Sequence, residues 1–189
     1  MSYINDKTVL DNMPWLTPER KHHILSTAEE AESLAGRFCA LKGCAGKAFT
    51  AALYHDCAKG IEKELLTKYP FDAEGFAGFP ATLHAPLGAC LARDMFGVSD
   101  PEILSAIKWH CTGRAGMTEL EKAVFLADAI EPLRDYPGVA GIRAAAAASL
   151  DEGMKAYLEN LIDHLRHAGK AINPYTLECM ESCRRLRKL

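Results

Sequence analysis

The chain has no run of 18 or more apolar residues, so no part of it is expected to cross a bilayer as a helix. It has no CxxC pair, which speaks against a zinc knuckle or a thioredoxin-like site. Its seven cysteines are an odd number, so complete internal pairing is impossible. Free thiols in a reducing cytoplasm are the expectation. The first residues, MSYINDK, carry no apolar signal core. There is no basic excess either. A net charge of −3 and a pI near 6.2 argue against a dedicated nucleic-acid face, though not against a nucleotide substrate. No segment alternates apolar and polar residues long enough to require a strand, and there is no repeat or linker.

What is present fits a folded helical chain. The 189 residues suit one domain. Apolar residues make up 49% and charged residues 25%, which places the chain with globular rather than disordered proteins. Thr17-Pro18 reads as an N-cap followed by proline at the first helical position. The spacing of Ile24, Ala28, Ala31, Leu34, Ala35 and Phe38 predicts a helix from about 18 to 41, with Gly43 as its stop. A small-residue helix is predicted at about 45–58, and a short one at about 62–68. Residues 70–82 read as a loop. Further helices are expected at about 84–96, 101–111, 119–131, 139–148, 150–168 and 174–187. Asp100-Pro101 and Asn173-Pro174 open two of them, and Thr118-x-x-Glu121 and Ser149-x-x-Glu152 read as capping boxes. The predicted fold is all-α, a compact single-domain helical bundle.

Six residues stand out against this background: His23, the pair His55-Asp56, His84, His110 and Asp128. Their neighbours are apolar, as in ALYHDCAK, IKWHCTGR and FLADAIEP. A titratable group in such a setting is costly unless something pairs with it, and a metal can satisfy several at once. One His-Asp dipeptide means nothing alone, since about 0.4 is expected by chance at this composition. Any single histidine is more often an ordinary hydrogen-bonded residue. The ordered set on five predicted helices is different, because a bundle can bring inward-facing side chains together.

The order H, HD, H, H, D matches the HD-domain superfamily of metal-dependent phosphohydrolases. Longer words narrow the resemblance. Arg20-x-x-His23, His55-Asp56-x-x-Lys59, Leu83-His84-x-Pro86-x-Gly88-Ala89, His110-x-Thr112-Gly113-Arg114-x-Gly116-Met117 and Phe125-Leu126-Ala127-Asp128-x-Ile130-Glu131-Pro132-x-Arg134 resemble the bacterial YqeK family. So does Asp135-Tyr136-Pro137-Gly138-Val139. The likeness runs from about residue 14 to residue 180. Cys111 and Trp109 depart from the family's usual threonine and tyrosine, and neither is a proposed ligand.

The resemblance implies one domain over 1–189, with an HD core at about 18–135 and C-terminal helices at about 138–189. It implies symmetrical cleavage of diadenosine tetraphosphate into two ADP by a metal-activated hydroxide. His23, His55, Asp56 and Asp128 would hold one metal. Asp56 would bridge to a second, held also by His84 and His110. A carboxylate suits bridging because it has two oxygens. Two divalent ions, two aspartates and a hydroxide leave such a site net positive, which favours a polyphosphate. The nitrogen-rich set suits iron, zinc or copper better than magnesium or calcium, without choosing among the three. Iron rests on the resemblance, with zinc and manganese as alternatives.

Lys59 is predicted to share one helical side with His55 and Asp56, as orienter or phosphate contact. Thr112, Gly113 and Arg114 read as a phosphate clamp, with Asp56, Lys59 and Arg114 as catalytic residues. Arg134 is a second clamp, Glu131 an orienting partner, and Arg20 the weakest candidate. Phe71, Phe76 and Phe79 read as loop packing before base stacking. His22, His164 and His167 match no motif and are expected to be exposed. Cys57 and Cys111 would line the pocket wall. The expected partners are a dinucleoside polyphosphate and its ADP product, with no nucleic acid and no membrane, and a homodimer is one expected assembly. The rival readings are another HD-type nucleotide phosphohydrolase or nucleotidase, and a metal- and nucleotide-binding regulatory module.

Overall fold

A computed structural model describes residues 7–69, 75–76 and 78–185. Among them all regular structure is helical. The α-helices are α1 (Pro18–Phe38), α2 (Cys44–Tyr54), α3 (Glu62–Lys68), α4 (His84–Phe96), α5 (Pro101–Trp109), α6 (Glu119–Ile130), α7 (Val139–Ala148), α8 (Leu150–His167) and α9 (Pro174–Arg185). Short 3-10 turns occur at Lys7–Asn12 and Pro80–Thr82. No described helix is long and apolar enough to cross a membrane.

The starts follow the capping chemistry in the sequence. The Thr17 hydroxyl accepts from the Arg20 amide at 3.2 Å, and Pro18 occupies the first turn. Asp100 accepts from the Glu102 amide at 2.9 Å. Thr118 and Glu121 form a full capping box, with bonds of 3.2 and 2.8 Å. Ser149 caps α8 through the Glu152 amide, and Asn173 accepts from the Tyr175 amide beside Pro174.

The ends differ from the sequence reading. Helix α1 stops at Phe38, and Gly43, expected as its stop, stands in the left-handed region (φ 84°) just before α2. Helix α2 ends at Tyr54 instead of continuing to 58. From His55 to Ile61 the chain makes turns closed by bonds to the residue three back, including Cys57 N to Tyr54 O and Lys59 N to Asp56 O. Helix α5 likewise ends before His110. At both ends the histidine ring competes for a backbone carbonyl. The Nδ1 of His55 lies 2.6 Å from Ala52 O, and that of His110 lies 2.7 Å from Ile107 O. His55, Asp56 and Lys59 therefore lie on a turn, not on one side of a helix.

Small residues set the core. Ala28, Ala31 and Ala35 on α1 are buried, as are Ala48, Ala51 and Ala52 on α2, and these two helices pack closely. Side chains this short let helix axes approach. Helix α6 is the hub, buried through Val124, Phe125 and Leu126 and packed against α1, α2, α5, α7 and α8. Helix α9 lies on α8. Phe76 is buried and packs against Trp109 and Tyr175, with ring centroids 5.9 and 5.4 Å away. Phe71 lies outside the described residues.

Candidate metal centre

Five elements deliver six side chains to one place. His23 comes from the second turn of α1, one turn after Arg20. His55 and Asp56 follow the end of α2. His84 opens α4, His110 follows α5, and Asp128 lies in the last turn of α6. Gly88 permits the approach of α4. A Cβ there would stand 3.3 Å from the His55 carbonyl oxygen, tighter than nine in ten real contacts.

Asp56 is buried at the middle, and its two oxygens face different partners. Oδ2 lies 3.5 Å from His55 Nε2 and 3.9 Å from His23 Nε2. Oδ1 lies 3.3 Å from His84 Nε2 and 3.7 Å from His110 Nε2. Asp128 Oδ1 completes the first set, 3.1 Å from His23 Nε2 and 3.8 Å from His55 Nε2. The ligand atoms of His23, His55 and Asp128 lie within 4.8 Å of one another, and so do those of His55, Asp56 and His110. His84 joins the second group through His110, Nε2 to Nε2 at 3.2 Å.

These residues fit metal ions on chemical grounds. The His55 Nε2 is buried without a hydrogen-bond partner among the described residues. Its Nδ1 faces a carbonyl and therefore carries the proton, which leaves an Nε2 lone pair aimed at the cluster. His110 is arranged in the same way. Two ring nitrogens facing each other at 3.2 Å share no more than one proton, whereas an ion accepts both lone pairs.

For His55, His84, Asp56 and Asp128 the protonation states agree with that use, whereas His23 has to give up a proton to ligate. Burial pulls the His55 pKa down to about 4, against the opposing pull of Asp56 and Asp128. Burial, and next the neighbouring His110, pull His84 down to about 2. Burial alone would raise the Asp56 pKa, but His55 and the other imidazoles hold it well below the usual carboxylate range. Asp128 is also held low, by the His23 hydrogen bond and then by His55 and Arg134, against burial. In His23, burial opposes the charged form and is outweighed by Asp128, so its pKa is raised. Ionised carboxylates and neutral imidazoles are the ligating forms.

An outer layer fixes the ligands. Buried Glu131 faces His23 Nδ1 at 3.1 Å through Oε1. Its Oε2 accepts from Ser26 Oγ at 2.6 Å and from the Leu133 amide at 2.7 Å. Such partners set the orientation of a ligating imidazole. The Arg143 guanidinium donates to the carbonyls of Ile130, Glu131 and Arg134, each at 2.8 Å, and so holds the turn that carries Glu131 and Arg134. Sequence reasoning missed Arg143 and Ser26, because neither lies in a recognisable word.

The cations are distributed differently from the sequence reading. Arg134 is at the rim, where its Nε donates to Asp128 O at 2.7 Å and its Nη2 pairs with Asp128 Oδ1. Arg20, ranked lowest, touches the cluster directly, with Nη1 2.6 Å from Asp56 Oδ2. The signal was its spacing of three from His23, which places both on one helical face. Lys59 is half-buried, makes no ion pair among the described residues, and adds to the field that depresses His84.

The expected clamp is engaged elsewhere. Arg114 forks onto buried Glu121, with Nε and Nη2 donating at 3.1, 3.0 and 2.8 Å. Gly113 (φ 65°) packs on α9, where an added Cβ would stand 2.7 Å from Cys179 Sγ. The buried Thr112 hydroxyl donates to the Gly113 carbonyl. This word holds α5, α6 and α9 together. Cys57 is buried and its thiol donates to Gly88 O at 3.4 Å. Burial pushes the Cys111 thiol up to about 12. His22, His164 and His167 are exposed.

Comparison with known proteins gives the same family. The HD domain model matches residues 20–133. The symmetrical bis(5'-nucleosyl)-tetraphosphatase of Halalkalibacterium halodurans is 37% identical over 168 residues, covering 87% of this chain and 88% of the relative. The protein of the same description from Bacillus subtilis is 36% identical over 165 residues, covering 85% and 87%. The solved structure of a predicted HD superfamily hydrolase involved in NAD metabolism, from Clostridium acetobutylicum, superposes with a TM-score of 0.86 at 30% identity and covers 98% of both chains. By the family match over more than half its length, and by these identities over nearly all of it, the chain is a YqeK-type member of the HD-domain family.

Proposed function

We propose that the chain hydrolyses dinucleoside tetraphosphates symmetrically, diadenosine tetraphosphate into two ADP, at a two-metal centre whose metal is iron. The observation that carries this reading is the division of Asp56, one oxygen toward His23 and His55 and the other toward His84 and His110. The names of the two relatives support the substrate.

His23, His55 and Asp128 with one Asp56 oxygen would hold the first ion, and His84 and His110 with the other oxygen the second. When bound, the pair supplies Lewis acidity toward phosphoryl oxygens and lowers the pKa of water toward neutrality. The chain's own residues supply orientation and charge. Glu131 fixes the His23 ring, and the Ala52 and Ile107 carbonyls fix His55 and His110. Arg20 and Arg134 stand at the mouth, paired to the two aspartates. With those carboxylates engaged in holding metal, both guanidiniums would be available to phosphate oxygens. Lys59 adds a third positive charge. Water attacks one of the two central phosphorus atoms, the bridging P–O bond between them breaks, and each half leaves as a nucleoside diphosphate. Arg114 could reach phosphate only by leaving Glu121. The seven free thiols fit a reducing compartment, and the cytoplasm is the proposed location.

The test is product analysis on enzyme loaded with iron without oxygen. Two ADP are expected. ATP plus AMP would contradict the reading.

A further inference from the structure

A cleft of about 510 Å³ opens beside the metal centre, between the turn after α6 and the outer face of α8. Ala129, Arg134, Tyr136 and Pro137 line one side, and Tyr157, Asn160, Leu161, Asp163, His164 and His167 line the other, with exposed Asp163 as the acidic member. None of the α8 residues belongs to the ligand set. The volume lies in the range of about 300–1,000 Å³ typical of small-molecule pockets.

From this cleft we infer a nucleoside subsite, with Arg134 at its inner end on the phosphate side and Tyr136 and Tyr157 as the walls for the base. The inference rests on the proposed substrate and adds where one of its nucleosides lies.

Three observations support it. The cleft is continuous with the metal centre, because Arg134 both lines it and bonds to Asp128 through Nε and Nη2. A phosphate held there leads directly to a ribose and base in the cleft. The walls are aromatic and fixed. The Tyr136 hydroxyl donates to Ala129 O at 2.9 Å, and the Tyr157 ring packs edge-on against Phe125 with centroids 5.3 Å apart. Rigid tyrosines stack on any base without an ordering cost. The polar groups are also suitable. The Tyr157 hydroxyl has no hydrogen-bond partner among the described residues. The His167 Nδ1 faces Asp163 O at 2.7 Å, which leaves Nε2 as a free acceptor at the rim. His164 and His167, which match no motif, thereby gain a role at the edge of a base.

The experiment is calorimetric titration of the metal-containing protein with ADP and, separately, with pyrophosphate, together with steady-state turnover of diadenosine tetraphosphate. Leu161→Trp fills the cleft, and Tyr157→Phe keeps the ring that packs on Phe125 while removing its free hydroxyl. The expected result is that ADP binds more tightly than pyrophosphate to the unaltered protein. Leu161→Trp should weaken ADP about tenfold, the scale of one base stack, with pyrophosphate affinity unchanged. Tyr157→Phe should weaken ADP by a smaller factor and raise KM more than it lowers kcat. Equal affinity for the two ligands in the unaltered protein would overturn the subsite. So would a parallel loss of both in Leu161→Trp, or unchanged ADP binding in both variants. The two readings fail separately. Protein that binds ADP through this cleft but leaves diadenosine tetraphosphate intact keeps the subsite and loses the proposed activity. Turnover that is indifferent to both variants does the reverse.

Discussion

The guanidinium of Arg20 lies 2.6 Å from Asp56 Oδ2, the oxygen that also faces His23 and His55. Arg20 and His23 project from successive turns of α1, so one helix delivers both a ligand and a cation to the same carboxylate. Arginine is always charged and cannot ligate metal. Its proposed place is therefore beside the ions, facing a phosphate. Arg20→Ala should keep the bound metal and lower kcat/KM about 10- to 100-fold, the loss of a charge-assisted hydrogen bond. Elemental analysis and kinetics on the same preparation check this. Loss of metal with kcat/KM unchanged per bound ion would make Arg20 a scaffold residue.

Glu131 acts at one remove, through His23. It is buried, and it binds His23 Nδ1, Ser26 Oγ and the Leu133 amide at once. Glu131→Gln keeps the shape but removes the negative charge that orients and polarises the imidazole. Metal affinity should fall about 10- to 100-fold, the usual range for such outer partners. Competition with a chelator measures it. A Gln variant with native affinity and a shifted unfolding midpoint would leave Glu131 a structural role only.

Arg114 separates a structural account from a catalytic one. Its fork is spent on Glu121, which also closes the cap of α6. Arg114→Ala leaves that buried carboxylate with fewer partners. The expected cost is about 2 kcal/mol of stability, with kcat/KM of the folded protein within about threefold of native. Urea unfolding and kinetics decide. Intact stability with a collapse of kcat would restore the phosphate clamp that the sequence suggested.

The bundle was legible because its signals are local. Thr17-Pro18, Asp100-Pro101 and Thr118-x-x-Glu121 mark helix starts, and the structure has helices at each. The ends of α2 and α5 were not legible. Their extension through His55 and His110 followed from propensity, whereas those rings take the carbonyls of Ala52 and Ile107. The six candidate ligands could be picked out as titratable residues in apolar words, and the structure gathers all six. The outer layer could not. Arg143 acts by reaching three carbonyls on another element, and nothing in VAGIRAAAAA announces it. The engagement of Arg114 with Glu121 was not legible for a related reason. A Thr-Gly-Arg word reads the same whether its guanidinium faces a phosphate or a buried glutamate such as Glu121.

Among the described residues, Asp56 is the carboxylate that faces both histidine sets, one oxygen to each. The direct measurement is elemental analysis of the native protein and of Asp56→Ala, each purified without added metal and then assayed for ADP release. About two metal ions per chain are expected in the native protein, mostly iron. In Asp56→Ala, loss of metal and of turnover together is expected. Turnover that survives in Asp56→Ala, or a native protein that cleaves the substrate with no bound metal, would contradict the two-metal reading.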